Sequence, residues 1–275
     1  MANTIKTACI QLNNGPDVRE NLKNTEQLIR EAAGDGVKLI ATPENTCFMV
    51  EPPMARLAQA QGQDDNETLK ALRSLADELG VWILIGSLGI KLEKRKIANR
   101  SFLISDKGEI VTTYDKIHLF DVDLPNGERY RESAIIQPGD EAVVAQGPGT
   151  KIGLSICYDI RFSHLYRDLA KRGAEILTVP AAFSMLTGQA HWEVLLRARA
   201  IETGSFVLAP GQAGLHDGGR STWGHSMIIN PWGEILAAMD SEVGIISADL
   251  NMDDVEKARQ AIPALKHDRD YALKS

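Results

Sequence analysis

Apolar and polar positions along the first third of the chain alternate between two periods. Residues 4–12 read as a strand, and the short apolar run 37–41 reads as a buried one. Between them, residues 21–33 set Leu22, Leu28 and Ile29 on one helical face, with Gly34 ending the helix. Residues 67–79 repeat that spacing with Leu69, Leu72, Leu75, Ala76 and Leu79, and Gly80 is suited to the left-handed cap. Residues 81–88 are nearly continuously apolar, as in a strand covered on both faces. Strands 98–105 and 109–114 then join through Asp106-Lys107-Gly108, a hairpin turn.

The second half follows a similar order. Strands 141–145 and 151–157 flank a Gly-Pro-Gly turn, and Ser163 is placed to cap a helix running to Arg172. A strand at 175–179, a helix at 190–202 and a strand at 205–209 come next. Strands 226–229 and 234–238 pair around Asn230-Pro231-Trp232-Gly233, followed by a strand at 243–249 and a helix at 255–261. Apart from the terminal helix, each half thus has two helices and several buried strands that need cover on both faces. Two sheets packed face to face, each with helices outside, satisfy that need. The expected fold is an α/β four-layer α-β-β-α sandwich, one domain over residues 1–275, since no Pro/Gly/Ser-rich linker divides it. Residues 116–140 are the longest stretch without periodicity, and such stretches are functional loops or disordered segments.

Composition narrows the classes. The 275 residues carry a net charge of −7, with pI ≈ 5.4, which speaks against a nucleic-acid binder. No uncharged apolar run approaches the roughly 18 residues of a membrane helix, and the first residues lack a signal-peptide pattern. A cytoplasmic enzyme is the expectation. Cys9, Cys47 and Cys157 form no disulfide framework, and neither C-x-x-C nor H-E-x-x-H spacing occurs, so no metal site is expected. Gly147-Pro148-Gly149 and Gly149-Thr150-Lys151 are neither a dinucleotide loop nor a P-loop, so no cofactor is expected. The sequons at Asn66 and Asn99 read as coincidence in a chain without a secretory signal.

Three polar residues end apolar strands. Glu44 follows 39–41 after Thr42-Pro43, Lys116 follows 109–114, and Cys157 ends 151–157. In open α/β sheets, sites form beyond the carboxyl ends of strands. Taken singly, a buried Cys is core, a Glu is a turn residue and a Lys is solvated; the three together at strand ends point to chemistry. Glu44 can take the thiol proton of Cys157, and Lys116 can stabilise a thiolate or an oxyanion. The backbone N–H of Tyr158 can supply a second oxyanion donor. These roles describe acyl transfer to Cys157 followed by hydrolysis.

At these residues the chain resembles the nitrilase superfamily of carbon–nitrogen hydrolases, and the resemblance runs essentially its whole length. Pro43-Glu44-Asn45 matches the family's base, Tyr114-Asp115-Lys116-Ile117-His118-Leu119-Phe120 its lysine, and Cys157-Tyr158-Asp159-Ile160-Arg161-Phe162 its nucleophile. The resemblance implies the four-layer fold, a Glu-Lys-Cys triad and no cofactor. It also singles out Glu132, in Arg131-Glu132-Ser133, as a second glutamate near the lysine, over nearby Glu128. Pro180-Ala181-Ala182-Phe183, Thr187 to Glu193, Leu196 to Glu202 and Trp223-Gly224-His225-Ser226 are similar to the Nit branch, which holds the deaminated glutathione amidases and the omega-amidases. Residues 197–203 and 212–216 resemble the former, Trp223-Gly224-His225 the latter. Ser184-Met185-Leu186 departs from the branch.

The implied substrate is an amide of a 2-oxo dicarboxylic acid. Deaminated glutathione, cleaved to 2-oxoglutarate and cysteinylglycine as a metabolite repair, is the first reading. An omega-amidase acting on 2-oxoglutaramate is the alternative; another amidase, a carbamoylase or an inactive scaffold stand behind it. Arg161 can offer a fork to the carboxylate or pair with Asp159 or Glu175. Phe183 and Thr187 match pocket positions. His191 and Trp192 are expected to order the site, and Arg197 and Arg199 to be structural. The resemblance implies a homodimer or a tetramer.

Overall fold

Asp17 sets where the first helix begins. Its carboxylate accepts hydrogen bonds from the N–H groups of Arg19 and Glu20, 2.9 and 3.1 Å away, which starts the helix three residues before its apolar stripe does. The computed structural model describes residues 3–93 and 95–274. Its strands are β1 (Thr4–Gln11), β2 (Leu39–Ala41), β3 (Trp82–Lys91), β4 (Ile97–Ile104), β5 (Ile110–Asp115), β6 (Asp121–Asp123), β7 (Arg129–Arg131), β8 (Val144–Gln146), β9 (Lys151–Leu154), β10 (Ile176–Thr178), β11 (Phe206–Ala209), β12 (Ala213–Leu215), β13 (Ser221–Trp223), β14 (Met227–Ile229), β15 (Ile235–Ala238) and β16 (Gly244–Asn251). Its α-helices are α1 (Val18–Gly34), α2 (Pro53–Gln59), α3 (Glu67–Leu79), α4 (Ser163–Lys171), α5 (Met185–Thr203) and α6 (Asp253–Ala261).

The strands form two six-stranded sheets, in the orders β16-β1-β2-β3-β4-β5 and β15-β14-β11-β10-β9-β8. Each has a parallel centre, β1-β2-β3 in the first and β9-β10-β11 in the second, flanked by antiparallel strands. The side-chain period of two sorts the faces. Cys9, Leu39, Ala41, Leu84 and Leu103 of the first sheet join Leu154, Ile176 and Leu208 of the second in one core. Ala8, Ile10, Ile40, Ile83 and Phe102 point the other way, onto Ile29 of α1 and Leu69 and Leu72 of α3. Helices α4 and α5 pack on β9 and β11. The result is the four-layer α-β-β-α order that the alternating periods predict.

The differences lie where local chemistry overrides periodicity. Helix α5 starts five residues before 190, because Thr187 and Gly188 turn inward rather than lying on an apolar stripe. Ser163 is the first residue of α4 and makes no side-chain cap. Strand β9 stops at Leu154, and residues 157–161 turn into a 3₁₀ helix. The segment 116–140 holds the short β6–β7 hairpin, whose strands are too polar to alternate visibly. Helix α2 and the β12–β13 hairpin carry no periodic signal either. Gly80 is the left-handed cap of α3, at φ 63°. Among the described residues, no helix is long and apolar enough to cross a membrane.

Candidate active site

Three loops leave the carboxyl ends of β2, β5 and β9 and converge. After β2, the chain crosses Gly86 so closely that a Cβ there would sit 2.1 Å from the Thr42 carbonyl oxygen. Only glycine permits this approach of β3 to the turn that aims Glu44 inward. Asn45 follows at φ 59°, its N–H donating to Ser87 Oγ at 2.9 Å. After β5, the Lys116 N–H donates to the Asn99 carbonyl of β4 at 3.0 Å. Past β9, Cys157 opens the 3₁₀ helix at φ 49°, its N–H held by the Pro180 carbonyl at 2.9 Å. A non-glycine residue with positive φ is strained and persists where its surroundings fix it.

Lys116 is buried, and its ammonium lies 2.9 Å from Glu44 Oε1 and 2.9 Å from Glu132 Oε2. Asn99 Nδ2 donates to Oε1 of both carboxylates, at 2.8 and 3.2 Å. The other oxygen of Glu44 accepts the Ala182 N–H at 2.8 Å, and Glu132 Oε2 accepts the Phe120 N–H at 2.7 Å. Burial pushes the Glu44 carboxyl up, but the Lys116 ammonium and the bonds to it outweigh burial and hold it down at about 2. Burial pulls the Lys116 ammonium down, while Glu132 and Glu44 more than reverse this, so it stays charged. Burial and then the Glu44 charge push the Cys157 thiol up, against the opposing pull of Lys116. A thiol beside an ionised carboxylate and an ammonium can pass its proton to that carboxylate as it attacks a carbonyl, with Lys116 beside the developing oxyanion.

A buried carboxylate ties two of the loops together. Asp159 accepts the Tyr114 hydroxyl at 2.7 Å and the Ile156 N–H at 2.9 Å on one oxygen. Its other oxygen accepts the His118 N–H at 3.0 Å and meets His118 Nδ1 at 2.7 Å. The His118 ring stacks on Phe162, with centroids 3.5 Å apart. Tyr114 and His118 bracket Lys116, and Ile156 precedes Cys157, so Asp159 fixes the lysine against the nucleophile. Arg199 of α5 supports the same helix from behind, donating twice to the Ile160 carbonyl at 2.9 and 2.6 Å.

The constellation opens into a cavity of about 360 Å³. Glu44, Lys116, Glu132, Cys157, Tyr158, Phe183 and Thr187 line it. Arg161 does not. A 3₁₀ helix has about three residues per turn, so position 161 is rotated by about 120° from Cys157. Its guanidinium rests over the Tyr158 and Phe183 rings, 5.8 and 5.4 Å from their centroids, and donates to His191 Nδ1 at 3.3 Å. The arginines on the cavity wall are Arg56, Arg129, Arg131 and Arg220 instead. Glu128 also reaches the wall, where it accepts the Tyr130 hydroxyl at 2.9 Å.

A family model described as carbon-nitrogen hydrolase matches residues 6–260. The chain belongs to the carbon–nitrogen hydrolases. It is 39% identical to a deaminated glutathione amidase of Yersinia enterocolitica, over 95% of this chain and 92% of that one. It is 41% identical to a deaminated glutathione amidase of Synechocystis sp., over 94% and 96%. The crystal structure of the C. elegans NitFhit protein superposes with a TM-score of 0.92 at 33% identity, covering 98% of this chain and 66% of that longer one.

In this carbon–nitrogen hydrolase, sequence reasoning missed Asn99, Asp159, Arg56 and Arg220. Asn99 left one trace, an amide inside an apolar strand, which reads only as a sequon. It is 1% exposed, so the sequon has no glycosylation reading; Asn66 caps α3, accepting the Leu69 N–H at 2.9 Å. Trp192 orders the wall from below, 4.9 Å from the Phe183 ring and donating to the His225 carbonyl at 2.8 Å.

Proposed function

We propose that this carbon–nitrogen hydrolase cleaves the amide of deaminated glutathione, forming an acyl-enzyme at Cys157 and releasing cysteinylglycine and then 2-oxoglutarate. The observation that carries the mechanism is the bridging of Lys116 between Glu44 and Glu132 at the mouth of the Cys157 loop. The thiol sulfur attacks the amide carbonyl as its proton moves to Glu44. The oxyanion is met by Lys116 and by the Tyr158 N–H, which stands in the first turn of its short helix without an intrahelical acceptor. Collapse breaks the C–N bond, and Glu44 returns the proton to the leaving amine. Glu44 then takes a proton from water, the hydroxide attacks the thioester, and 2-oxoglutarate leaves as the thiol regains its proton. Glu132 holds Lys116 and Asn99 in place throughout.

The substrate reading is supported by the two relatives of that name and by a cavity that combines arginines with the aromatic rings of Phe120, Tyr130, Tyr158 and Phe183. A dianionic amide with a dipeptide leaving group suits such a wall. The test compares kcat/KM for deaminated glutathione and 2-oxoglutaramate, with Cys157→Ala as control. A preference for deaminated glutathione supports the reading; a preference for 2-oxoglutaramate replaces it with an omega-amidase. Turnover surviving in Cys157→Ala removes the mechanism.

The same reading includes a homodimer. Val194 and Ile201 on α5, with Trp232 and Ile262 nearby in the fold, expose apolar side chains of the kind that subunit contacts cover. Light scattering behind size exclusion measures the mass directly, and a monomer at micromolar concentration would remove this part of the reading.

A further inference from the structure

Asn99 lies buried on β4 between two carboxylates. Its Nδ2 donates to Glu44 Oε1 at 2.8 Å and to Glu132 Oε1 at 3.2 Å. Lys116 Nζ donates to the same two oxygens, at 2.9 and 3.1 Å. Two donors and two acceptors thus close a four-cornered ring. The ring fixes which way the amide points, because the opposite orientation sets Asn99 Oδ1 against both carboxylates. Held so, Oδ1 is buried with no hydrogen-bond partner among the described residues. A buried orphan acceptor is costly, and an apolar side chain of the same size would carry none. Stability does not account for the amide; the chemistry of the ring does.

A carboxylate oxygen has two in-plane lone pairs, and the ring takes both on each Oε1. Glu132 Oε2 is filled as well, by the Phe120 N–H at 2.7 Å and by Lys116 at 2.9 Å. Glu44 Oε2 holds one main-chain donor, the Ala182 N–H at 2.8 Å, which leaves it one lone pair. The Ala182 N–H also neighbours the Cys157 sulfur, and the thiol borders the Glu44 carboxylate, so that lone pair faces the nucleophile. Charge explains why the partner of Lys116 in the ring is an amide. Two carboxylates and one ammonium leave a net negative charge on the base; a second cation would cancel it, whereas an amide donates without charge.

We propose that Asn99 is a positioning residue that directs the proton transfers of catalysis: with Lys116 it closes Glu44 Oε1, so the thiol proton is taken up on Oε2 and returned from Oε2 to the leaving amine. The S–H bond breaks as the S–C bond forms, and the same proton reaches nitrogen as the C–N bond breaks. Asn99 is not on the cavity wall and acts through Glu44. This rests on the acyl-transfer mechanism at Cys157 proposed above.

The experiment follows kcat and KM of the full chain from pH 5.5 to 9, for deaminated glutathione and 2-oxoglutaramate, in wild type, Asn99→Leu and Asn99→Asp. Asn99→Leu opens Oε1 and should lower kcat by at least about 10-fold with KM within about threefold. Asn99→Asp is the conservative variant. Its protonated carboxyl still donates; its ionised form faces Glu44 and Glu132, with Lys116 the cation between them and the Cys157 thiol beyond Glu44. Burial and the two like charges raise the pKa of that new carboxyl. The ratio of its kcat to that of wild type should therefore fall by at least about 10-fold from pH 6 to pH 9. A constant ratio overturns the proposal, as does a kcat of Asn99→Leu within about threefold of wild type or a loss carried by KM alone. Turnover surviving in Cys157→Ala removes the mechanism and the proposal with it. Should Asn99→Leu fail to fold, the Asn99→Asp profile decides.

Alkylation of Cys157 by iodoacetamide reads the same contact without a substrate. Asn99→Leu should change the rate by at least about threefold with Glu44 present and have no effect in the Glu44→Gln background, because its action passes through that carboxylate. An equal factor in both backgrounds, unity included, marks a merely structural side chain and overturns the proposal. Should wild type turn over neither amide, the substrate reading fails and this cycle decides the role of Asn99.

Discussion

The Tyr114 hydroxyl donates a 2.7 Å hydrogen bond to Asp159, linking the strand before the lysine to the helix after the nucleophile. Asp159 collects four contacts on two oxygens, three from the lysine segment and one, the Ile156 N–H, from the nucleophile segment. An amide in its place keeps one acceptor oxygen and turns an NH₂ towards two of the donors. Asp159→Asn should therefore lower kcat by at least about 10-fold with little change in KM, and destabilise by about 3 kcal/mol. Tyr114→Phe removes one donor and should destabilise by about 1 kcal/mol. Steady-state kinetics and urea unfolding read both; a change confined to KM would contradict a positioning role.

The Glu44–Lys116 pair shapes stability at both ends of the pH scale. Glu44, held down at about 2, stabilises the fold at pH values above its ordinary value of 4.5, and this is lost as pH falls towards 2. Lys116, held up, contributes below its ordinary value of 10.5, and that contribution is lost as the pH rises through its higher folded value. The stability gap between wild type and Glu44→Gln should narrow between pH 6 and pH 3, measured by urea unfolding at each pH. In Lys116→Met the ammonium is gone, burial acts on Glu44 against neutral hydrogen-bond donors alone, Asn99 and the Ala182 N–H among them, and the acid limb of any residual activity should move to higher pH.

Cysteine reactivity follows from burial. The sequence suggests a lysine-stabilised thiolate at Cys157, but burial and the Glu44 charge keep that thiol protonated at rest. Its alkylation by iodoacetamide should rise across pH 6 to 9 without a plateau, as for a thiol that titrates above the range. It should still exceed alkylation of Cys9 and Cys47, which lie in the core rather than on the cavity wall. Peptide mapping of the labelled sites measures all three.

Two glycines should respond in opposite directions. A Cβ at Gly86 meets the backbone of Thr42 and Pro43 at 2.1 to 2.5 Å, so Gly86→Ala must move the Glu44 turn and should destabilise by about 3 kcal/mol or more, with loss of activity. Gly34, at the end of α1, has nothing within 4 Å of its Cβ position. Gly34→Ala should be neutral or stabilising by up to about 1 kcal/mol. Thermal melts of the two variants separate a close approach from an ordinary helix end.

The layers were legible because they depend on long, strongly periodic segments such as 67–79 and 81–88. The ends of strands carrying Glu44, Lys116 and Cys157 were legible because polar residues there interrupt apolar runs. Asn99 and Asp159 were not, because their partners lie 55 and 45 residues away along the chain. The arginines of the wall were hidden for a different reason. Arg56 and Arg220 sit on α2 and the β12–β13 hairpin, elements with no periodicity, while Arg161, close in sequence to Cys157, rests over the Tyr158 and Phe183 rings of the wall.

Glu44, Asn99 and Lys116 come from the first sheet, Cys157 and Ala182 from the second. Neither half of the duplicated strand–helix pattern is a smaller enzyme waiting inside the larger one. Turnover therefore gauges the mating of the two sheets, not the formation of either. During refolding, recovery of activity should trail the backbone dichroism, with the interval between them timing how long two finished sheets take to find their common register.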